Sequence, residues 1–381
     1  MKQIKLKGKD IFDGQQLLGP DKVLLLDENG VVAGIVAEAA AGDNVTELDG
    51  ILCPGFVNTH CHLELSHMKG VIPEKTGLPA FLTGVMQSRN NAVQDVSDLI
   101  ARAEQEMWQA GIAAVGDICN TTATLPQKQL GRLYYHSFVE SMGFVPAGAD
   151  SRYTHSLVTL EAFRTINGPF HQCSIVPHAP YSVSQPLFTQ LAATPHNTPV
   201  CIHNQECAAE NELYQQKTGD FLTFYQNFGI DISDFRPTGS NSLEAYLPYF
   251  SQQKILLVHN TYTTLTDIRL AQQQPVETWW CLCPQANLYI ENRLPDIPLL
   301  REQQCRITLG TDSLASNHQL SIWEEIKTIR THFPDIPLAE ILQWATSNGA
   351  QALGISNRYG SFQTGSQPGV VLINKDSKRI L

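Results

Sequence analysis

The sequence predicts an α/β fold in which the chain forms a closed (β/α)₈ barrel. The central part of the chain alternates short, nearly all-apolar runs with longer helical stretches, and eight such runs occur in order. Apolar runs of this kind are typical of parallel strands buried on both faces, and their alternation with helices indicates repeated βα units. A doubly wound open sheet is the alternative, but no G-x-G-x-x-G sequence follows any of the runs.

The predicted elements follow one another along the chain. Residues 1–53 contain short strands separated by turns, among them 23–26 and 31–36 on either side of an Asp-Glu-Asn-Gly turn. The eight apolar runs are residues 51–57, 112–115, 134–139, 173–177, 200–202, 255–258, 279–283 and 307–309. Residues 207–251 are long and mixed, so we expect an extra helix and a loop near the mouth of the barrel. Residues 369–373 are again strand-like.

The composition narrows the class of protein and of partner. The chain has 381 residues, of which 43% are hydrophobic and 17% charged, which is typical of a well-buried globular protein. A net charge of −11 argues against a nucleic-acid partner, because phosphate requires a basic surface. No stretch reaches the length of a membrane span, and the start lacks the apolar segment of a signal peptide. Together with nine scattered cysteines, these features predict a cytoplasmic protein with free thiols and no membrane partner.

Polar side chains recur where the predicted barrel strands end. They are His60 and His62 after the first run, His178 after the fourth, His203 and Glu206 after the fifth, His259 after the sixth and Asp312 after the eighth. Catalytic groups lie at this face of a (β/α)₈ barrel, because the loops there vary while the barrel holds the strand ends rigid. The sequence therefore predicts that these residues share one site.

The spacing of His60 and His62 favours metal binding. Alternate residues of an extended strand point to the same side, so both imidazoles can bind one ion. His203 can add a third nitrogen and Asp312 a carboxylate, a set that suits zinc and that iron or manganese also fit. The alternatives are a chance His-x-His, a core histidine and an aspartate that caps a helix or turn. The order of four candidate ligands at successive strand ends favours the metal site.

These residues resemble motifs of the amidohydrolase superfamily along the whole chain. Residues 54–62 (P-G-F-V-N-T-H-C-H) resemble its first-strand motif, and the other similar segments are 203–206, 257–260, 283–287, 310–312, 315–317 and 345–350. In the segment 283–287, Ala286 stands where serine is common. The resemblance implies a small β-sandwich built from residues 1–53 plus 359–381, and a barrel domain at 54–358. The resemblance also suggests a homodimer, although no pattern in the sequence itself indicates one.

Two features indicate a branch within the superfamily. The fourth run ends at residues 174–178 without the lysine that bridges the ions of two-metal members, so the resemblance implies one divalent metal. The pair His203 and Glu206 is similar to the branch of cytosine, guanine, S-adenosylhomocysteine and aminofutalosine deaminases, with the s-triazine hydrolases. The H-L-E-L-S run at residues 62–66 and the downstream Arg89 resemble aminofutalosine deaminases.

The resemblance also implies roles for individual residues. Asp312 and His259 would accept or orient the proton of an attacking water, and Glu206 would protonate the ring nitrogen beside the attacked carbon. The candidate substrate contacts are His178 for a purine-like ring or sugar, Glu64 for ribose hydroxyls or ring nitrogens, Arg89 for a carboxylate, and Ser316. Each has an alternative: His178 can be a core histidine and Glu64 a solvated loop charge. Arg89 can be an exposed helix arginine, and Ser316 can cap a helix.

The sequence thus predicts a hydrolase that acts on C–N bonds other than peptide bonds, in a cyclic amidine. The leading hypothesis is a metal-dependent deaminase of a purine nucleoside or related heterocycle, with aminofutalosine as the best specific substrate. The alternative is another hydrolase of the branch, such as an adenosine, S-adenosylhomocysteine, guanine or cytosine deaminase, or an s-triazine hydrolase. The intact set of Glu206, His259 and Asp312 speaks against a third hypothesis, a non-catalytic metal-binding barrel. Both enzyme hypotheses require a small-molecule substrate.

Overall fold

The computed structural model describes residues 3–89 and 96–381, so the first two residues of the predicted small domain lie outside the described residues. Its strands are, in chain order, β1 (Ile4–Lys7), β2 (Asp10–Ile11), β3 (Lys22–Leu26), β4 (Val32–Ala37), β5 (Thr46–Glu47), β6 (Ile51–Pro54), β7 (Phe56–Cys61), β8 (Ile112–Cys119), β9 (Tyr134–Ser141), β10 (His171–Pro177), β11 (Val200–Asn204), β12 (Lys254–His259), β13 (Glu277–Leu282), β14 (Ile307–Leu309), β15 (Val370–Ile373) and β16 (Ser377–Arg379).

Helices separate most of these strands. The α-helices of the described ranges are α1 (Glu38–Ala41), α2 (Leu78–Ser88), α3 (Val96–Gln109), α4 (Leu125–Lys128), α5 (Ala149–Arg164), α6 (Gln185–Ala193), α7 (Ala208–Gln216), α8 (Phe221–Asn227), α9 (Ser242–Tyr246), α10 (Leu265–Gln273), α11 (Pro284–Glu291), α12 (Ile297–Glu302), α13 (Ile322–His332), α14 (Leu338–Gln343) and α15 (Gly349–Ala352). Short 3₁₀ helices cover Leu63–Met68, Pro146–Gly148, Pro180–Ser182 and Leu247–Tyr249, and a π-helix covers Trp344–Asn348. Within these ranges, no helix combines the length and the apolar character that a membrane crossing requires.

The strands β7 to β14 form the barrel. They lie in two parallel four-stranded groups, with the orders β10-β9-β8-β7 and β11-β12-β13-β14. A parallel bridge between Cys61 and Asp312 joins the first strand to the end of the last. The amide of His203 donates to the carbonyl oxygen of His178 at 3.0 Å, which joins the two groups on the other side. The predicted (β/α)₈ barrel is confirmed.

Burial explains why the apolar runs form these strands. Every residue of β7, β8, β9 and β11 is buried, as expected for parallel strands with one face on the barrel core and the other against helices. Gly310 follows β14 where the barrel closes, and a Cβ there would lie 2.8 Å from the Cβ of His60. A larger residue at position 310 would therefore displace His60.

Both ends of the chain form small sheets beside the barrel. One sheet has the order β16-β15-β6-β2, in which β15 is antiparallel to β6, and the other has the order β4-β3-β1-β5. Their shared apolar cluster contains Leu6, Ile11, Leu24, Leu26, Val32, Leu52, Phe362 and Val370. The terminal strands therefore pack as one small β unit. The division into 1–53 plus 359–381 and 54–358 stays a proposal.

Two details of the predicted elements differ from the structure. The first predicted run, 51–57, is not one barrel strand, because residues Ile51–Pro54 pair with β15 in the small sheet and the barrel strand is Phe56–Cys61. A continuous apolar run does not reveal which partner a strand will take. The segment 207–251 contains three α-helices, α7, α8 and α9, and a short 3₁₀ helix, where one extra helix and a loop were expected.

Candidate metal centre and active site

The four predicted ligands meet at the carboxyl end of the barrel. The Nε2 atom of His62 lies 3.1 Å from Nε2 of His60, 3.2 Å from Nε2 of His203 and 3.2 Å from Oδ1 of Asp312. The Nε2 atom of His60 lies 3.4 Å from the same carboxylate oxygen. Two ligands that each lie about 2.1 Å from one ion at a tetrahedral angle are about 3.4 Å apart. The spacing of these four side chains therefore fits a single divalent ion.

The imidazole rings present acceptors to this centre. The Nδ1 atom of His203 donates to the carbonyl oxygen of His178 at 2.8 Å, which leaves its Nε2 lone pair facing the other ligands. Burial lowers the pKa of His60 and of His203 to about 4, and that of His62 to about 3, so all three rings are neutral near pH 7. Neutral nitrogens that converge this closely can share one cation through their lone pairs, which supports the fit to a divalent metal.

Asp312 supplies the negative charge of the centre. Burial alone would raise its pKa, but the hydrogen bond with His60 and the neighbouring imidazoles hold the pKa of Asp312 well below its usual range. Ser316 donates its hydroxyl to Oδ2 of Asp312, so Oδ1 is the oxygen directed at the histidines. Asp312 has a left-handed backbone (φ 56°), held by a 3.1 Å hydrogen bond from its amide to the carbonyl oxygen of His60.

His259 lies beside this set, with its Nε2 atom 3.5 Å from Oε1 of Glu206. That nitrogen is buried and has no hydrogen-bond partner within the described ranges. The ligand atoms of His60, His203, His259 and Asp312 lie within 4.8 Å of one another, so His259 is an alternative to His62 as a ligand. The close approach of His62 to the other three ligands favours His62 for the ion, which leaves His259 for proton handling next to Glu206.

Glu206 is the proton donor that this arrangement offers. Burial, reinforced by the nearby carboxylate of Asp312, raises the pKa of Glu206 well above its usual range, so the site favours the protonated form of this carboxyl. The preceding residue, Gln205, has a left-handed backbone (φ 46°), and its amide donates to Oε1 of Glu210 at 2.9 Å. This turn directs the carboxyl of Glu206 toward the cavity that contains the centre.

A cavity of about 460 Å³ opens over the centre. Its inner end is polar and contains His62, His178, His203, Glu206, His259 and Asp312. Its walls are mostly apolar and include Leu65, Phe81, Leu82, Phe144, Tyr181 and Phe224. Such a mixture of convergent polar groups and an apolar wall is typical of a small-molecule site.

The predicted substrate contacts divide into residues that line the cavity and residues that do not. His178 and Arg89 line it. Glu64 is not among the lining residues, since it is buried behind Arg89, whose Nη2 atom lies 3.5 Å from Oε1 of Glu64. Ser316 is also absent from the lining and is fully buried against Asp312. The geometry thus favours His178 and Arg89 as direct contacts.

The sequence reasoning missed two charged residues that line the cavity, Glu140 and Arg152. Glu140 lies at the end of β9, and burial raises its pKa to about 8. It follows the third apolar run directly, as the histidines follow theirs, so its position was the signal that could have identified it. Arg152 lies in α5, where Gly143 leaves room for its side chain: a Cβ at Gly143 would be 2.7 Å from Cγ of Arg152. No sequence pattern marks this arginine.

Comparison with known proteins agrees with this geometry. The sequence profile of the amidohydrolase family matches residues 51–380. The chain is 26% identical to an adenosine deaminase of Helicobacter pylori over 324 residues, which cover 81% of this chain and 76% of that protein. It is 25% identical to an aminodeoxyfutalosine deaminase of Nitratiruptor sp. over 333 residues, covering 86% and 79%. The fold is similar to the crystal structure of Helicobacter pylori aminofutalosine deaminase in complex with methylthio-coformycin, with a TM-score of 0.85, 21% identity, and coverage of 98% and 93%.

Proposed function

This chain belongs to the amidohydrolase family, and from that premise we propose that it is a metal-dependent hydrolytic deaminase of an adenine nucleoside. One observation carries the proposal. The buried carboxyl of Glu206, whose pKa is raised, lies 3.5 Å from Nε2 of His259, and both residues line the cavity at the centre formed by His60, His62, His203 and Asp312. Deamination of a heterocycle needs this combination, because the ring must gain a proton while water attacks.

The residues divide the work as follows. A bound divalent ion, with zinc favoured by the three nitrogens and one oxygen, supplies the Lewis acidity that lowers the pKa of water. Iron and manganese accept the same donors. Asp312, which stays ionised, accepts a proton of the attacking water, and His259 orients that water. Glu206 donates its proton to the ring nitrogen beside the attacked carbon. A C–O bond forms and the exocyclic C–N bond breaks. One proton of the water leaves with the amine as ammonia, and the other restores the carboxyl of Glu206, whose own proton stays on the ring nitrogen of the product.

The leading substrate is aminofutalosine, a nucleoside that carries a carboxylate. Arg89 and Arg152 line the cavity, and guanidinium groups bind carboxylates through charge-assisted hydrogen bonds. The apolar wall suits the carboxyphenyl group of this substrate. The Nitratiruptor relative, an aminodeoxyfutalosine deaminase, supports the same choice. The name of the Helicobacter pylori relative supports a second candidate, adenosine itself.

An assay of ammonia release tests the function. Purified, zinc-loaded protein is incubated with aminofutalosine, adenosine, guanine, cytosine and an s-triazine. We expect ammonia from aminofutalosine, with adenosine next, and no ammonia from the two free bases or the triazine. Release from guanine, cytosine or the triazine alone would refute an adenine nucleoside deaminase and favour another hydrolase of the family.

We also propose a cytoplasmic homodimer. The nine cysteines are all free, which supports a reducing compartment. The homodimer rests on the family resemblance, and light scattering tests it. A mass of twice 42.2 kDa supports the dimer, whereas 42.2 kDa overturns it.

A further inference from the structure

One carboxyl of the cavity has no part in the proposed chemistry. The side chain of Glu140 is only 2% exposed, yet it lines the cavity from the end of β9. A polar group that is this deeply buried is costly unless hydrogen bonds compensate for the lost water. The hydrogen-bond partners of its two oxygens therefore indicate whether the protein supplies both hydrogen bonds or leaves one for a ligand.

The described residues supply a donor to one oxygen of Glu140 and none to the other. Oε2 accepts a hydrogen bond from Nδ2 of Asn120 at 2.9 Å. Oε1 lies 3.6 Å from Nδ1 of His203, but that nitrogen already donates to the carbonyl oxygen of His178 at 2.8 Å. A separation of 3.6 Å is too long for a hydrogen bond. Within the described ranges, Oε1 thus has no donor.

Asn120 extends the same acceptor surface. It lines the cavity next to Glu140, and its amide nitrogen is used by the carboxyl. Its side-chain oxygen receives no hydrogen bond from the part of the chain that the structure describes. Among the described residues, Oε1 of Glu140 and Oδ1 of Asn120 are therefore both without a partner, and the two side chains contact each other. Such a pair matches two neighbouring hydroxyl groups, because a hydroxyl both donates and accepts and can bond to Oε1 in either protonation state of the carboxyl.

The position of this pair suits the part of the substrate that is not under attack. The ligand atoms of Glu140, His178 and His203 lie within 4.8 Å of one another. Glu140 thus lies beside the centre, on the side of His178, whereas Glu206 and His259 lie together on the side where the ring is protonated. When the ring of a nucleoside is bound at Glu206, we expect its sugar to lie near Oε1 of Glu140 and Oδ1 of Asn120.

Glu64, the residue that the sequence suggested for the ribose, has no such opening. Its Oε2 accepts from the amides of Asn120 and Thr121 and from the hydroxyl of Thr121, each at 3.1 Å. Its Oε1 faces Nη2 of Arg89 at 3.5 Å. All of these donors belong to the protein, so Glu64 holds the loop after β8 and leaves sugar recognition to another group.

We propose that Glu140, together with Asn120, recognises the vicinal hydroxyls of the sugar of the nucleoside substrate. The inference rests on the proposed function and adds a specificity determinant to it. The carboxyl of Glu140 bonds to the hydroxyls through Oε1, while Asn120 holds Oε2 in place. A nucleoside that lacks a sugar hydroxyl leaves a buried acceptor unpaired, and this penalty is the basis of the selectivity.

The test compares kcat/KM for adenosine, 2′-deoxyadenosine and 3′-deoxyadenosine in the wild type, Glu140→Ala and Glu140→Gln. We expect the wild type to prefer adenosine over at least one deoxy analogue by roughly 10- to 100-fold. Glu140→Ala should bring this ratio close to one, and Glu140→Gln, which keeps one acceptor, should retain part of it. Glu104→Gln is the matched control, because Glu104 is a buried carboxyl that accepts from Gln127 and Tyr135 and is not among the cavity-lining residues.

Four results would overturn the inference. An unchanged ratio in both variants means that Glu140 does not contact the hydroxyls. An equal loss for all three nucleosides, with a loss of bound metal, means that Glu140 only supports His203. If Glu140→Ala does not fold, two other results decide. The inference is refuted if the wild type does not prefer adenosine over either deoxy analogue, or if Glu140→Gln keeps the full preference of the wild type. Failure of the wild type on every adenine nucleoside would instead refute the proposed function itself, and the inference with it.

Discussion

The Nε2 atoms of His62 and His203 lie 3.2 Å apart, although 141 positions separate the two residues in the sequence. The barrel fixes both positions, because His62 directly follows the buried strand β7 and His203 is the penultimate residue of the buried strand β11. The barrel closes through the bridge between Cys61 and Asp312, which brings the carboxylate to the same point. Closure of the barrel thus also brings together the residues of the proposed metal centre.

Glu206→Gln should retain metal but lose turnover. Glutamine keeps the shape of the side chain but cannot supply the proton, so we expect kcat to fall by roughly 10²- to 10⁴-fold. Ammonia release gives kcat, and elemental analysis gives the metal content. Glu104→Gln serves as a control for replacement of a buried carboxyl. Activity of Glu206→Gln within a few-fold of the wild type would remove Glu206 from the mechanism.

Ser316→Ala should weaken metal binding. The hydroxyl of Ser316 donates to Oδ2 of Asp312, and loss of such a supporting bond costs roughly 10- to 100-fold in metal affinity. Competition with a chelator measures the affinity. Ser366→Ala is the control, since Ser366 is buried and its hydroxyl donates to the carbonyl oxygens of Ser361 and Gln363 in its own loop, which does not line the cavity. An affinity equal to that of the wild type would show that Ser316 does not support Asp312.

Arg152→Ala should impair a carboxylate-bearing nucleoside selectively. Arg152 lines the cavity, whereas the charge of Arg89 is partly balanced by Glu64 at 3.5 Å. We expect KM for aminofutalosine to rise roughly tenfold or more relative to KM for adenosine, because a charge-assisted bond is lost. Arg301→Ala, which removes a surface arginine paired with Glu340, is the control. A parallel change in KM for both nucleosides contradicts a role of Arg152 in binding the carboxylate.

Glu325 should make stability depend on pH. Its carboxyl accepts from the amide of Gln285 and from Nδ2 of Asn317, each at 2.9 Å, and burial raises its pKa from 4.5 to about 8. The folded protein therefore binds a proton that the unfolded chain has released, so the contribution of Glu325 is full below pH 4.5 and is lost as pH rises through about 8.

Urea unfolding at several pH values measures this effect. The free energy of unfolding of the wild type should fall more steeply between about pH 5 and pH 9 than that of Glu325→Gln, whose side chain does not titrate. The difference between the free energies of unfolding of the wild type and the variant at each pH isolates the contribution of Glu325 from that of the other carboxyls. Parallel curves for the two proteins would show that Glu325 is not protonated in the folded state.

Strand ends and their polar residues could be predicted from the sequence, because burial on both faces leaves continuous apolar runs and the chemistry follows each run directly. The family of the chain followed from the same segments. His60, His203 and Asp312 converge as expected once the barrel closes. This part of the site depends on local sequence and on a regular topology, and both are visible in one chain.

Side-chain direction outside the strands could not be predicted. Glu64 follows His62 by two positions, but the chain enters a 3₁₀ helix at Leu63, so the alternation of a strand no longer applies. Arg152 lies in α5, and in the sequence it cannot be told apart from an arginine on a solvent-exposed helix face. The pairing of residues 51–54 with β15 depends on a strand more than 300 positions later. Each of these features is decided by tertiary contacts.

The most direct test of the account is an anomalous diffraction experiment on crystals of the zinc-loaded protein. We expect one peak per chain at the zinc edge, bounded by Nε2 of His60, His62 and His203 and by Oδ1 of Asp312. A peak elsewhere, no peak, or a second peak bridged to the first would contradict a single-ion centre at these four residues.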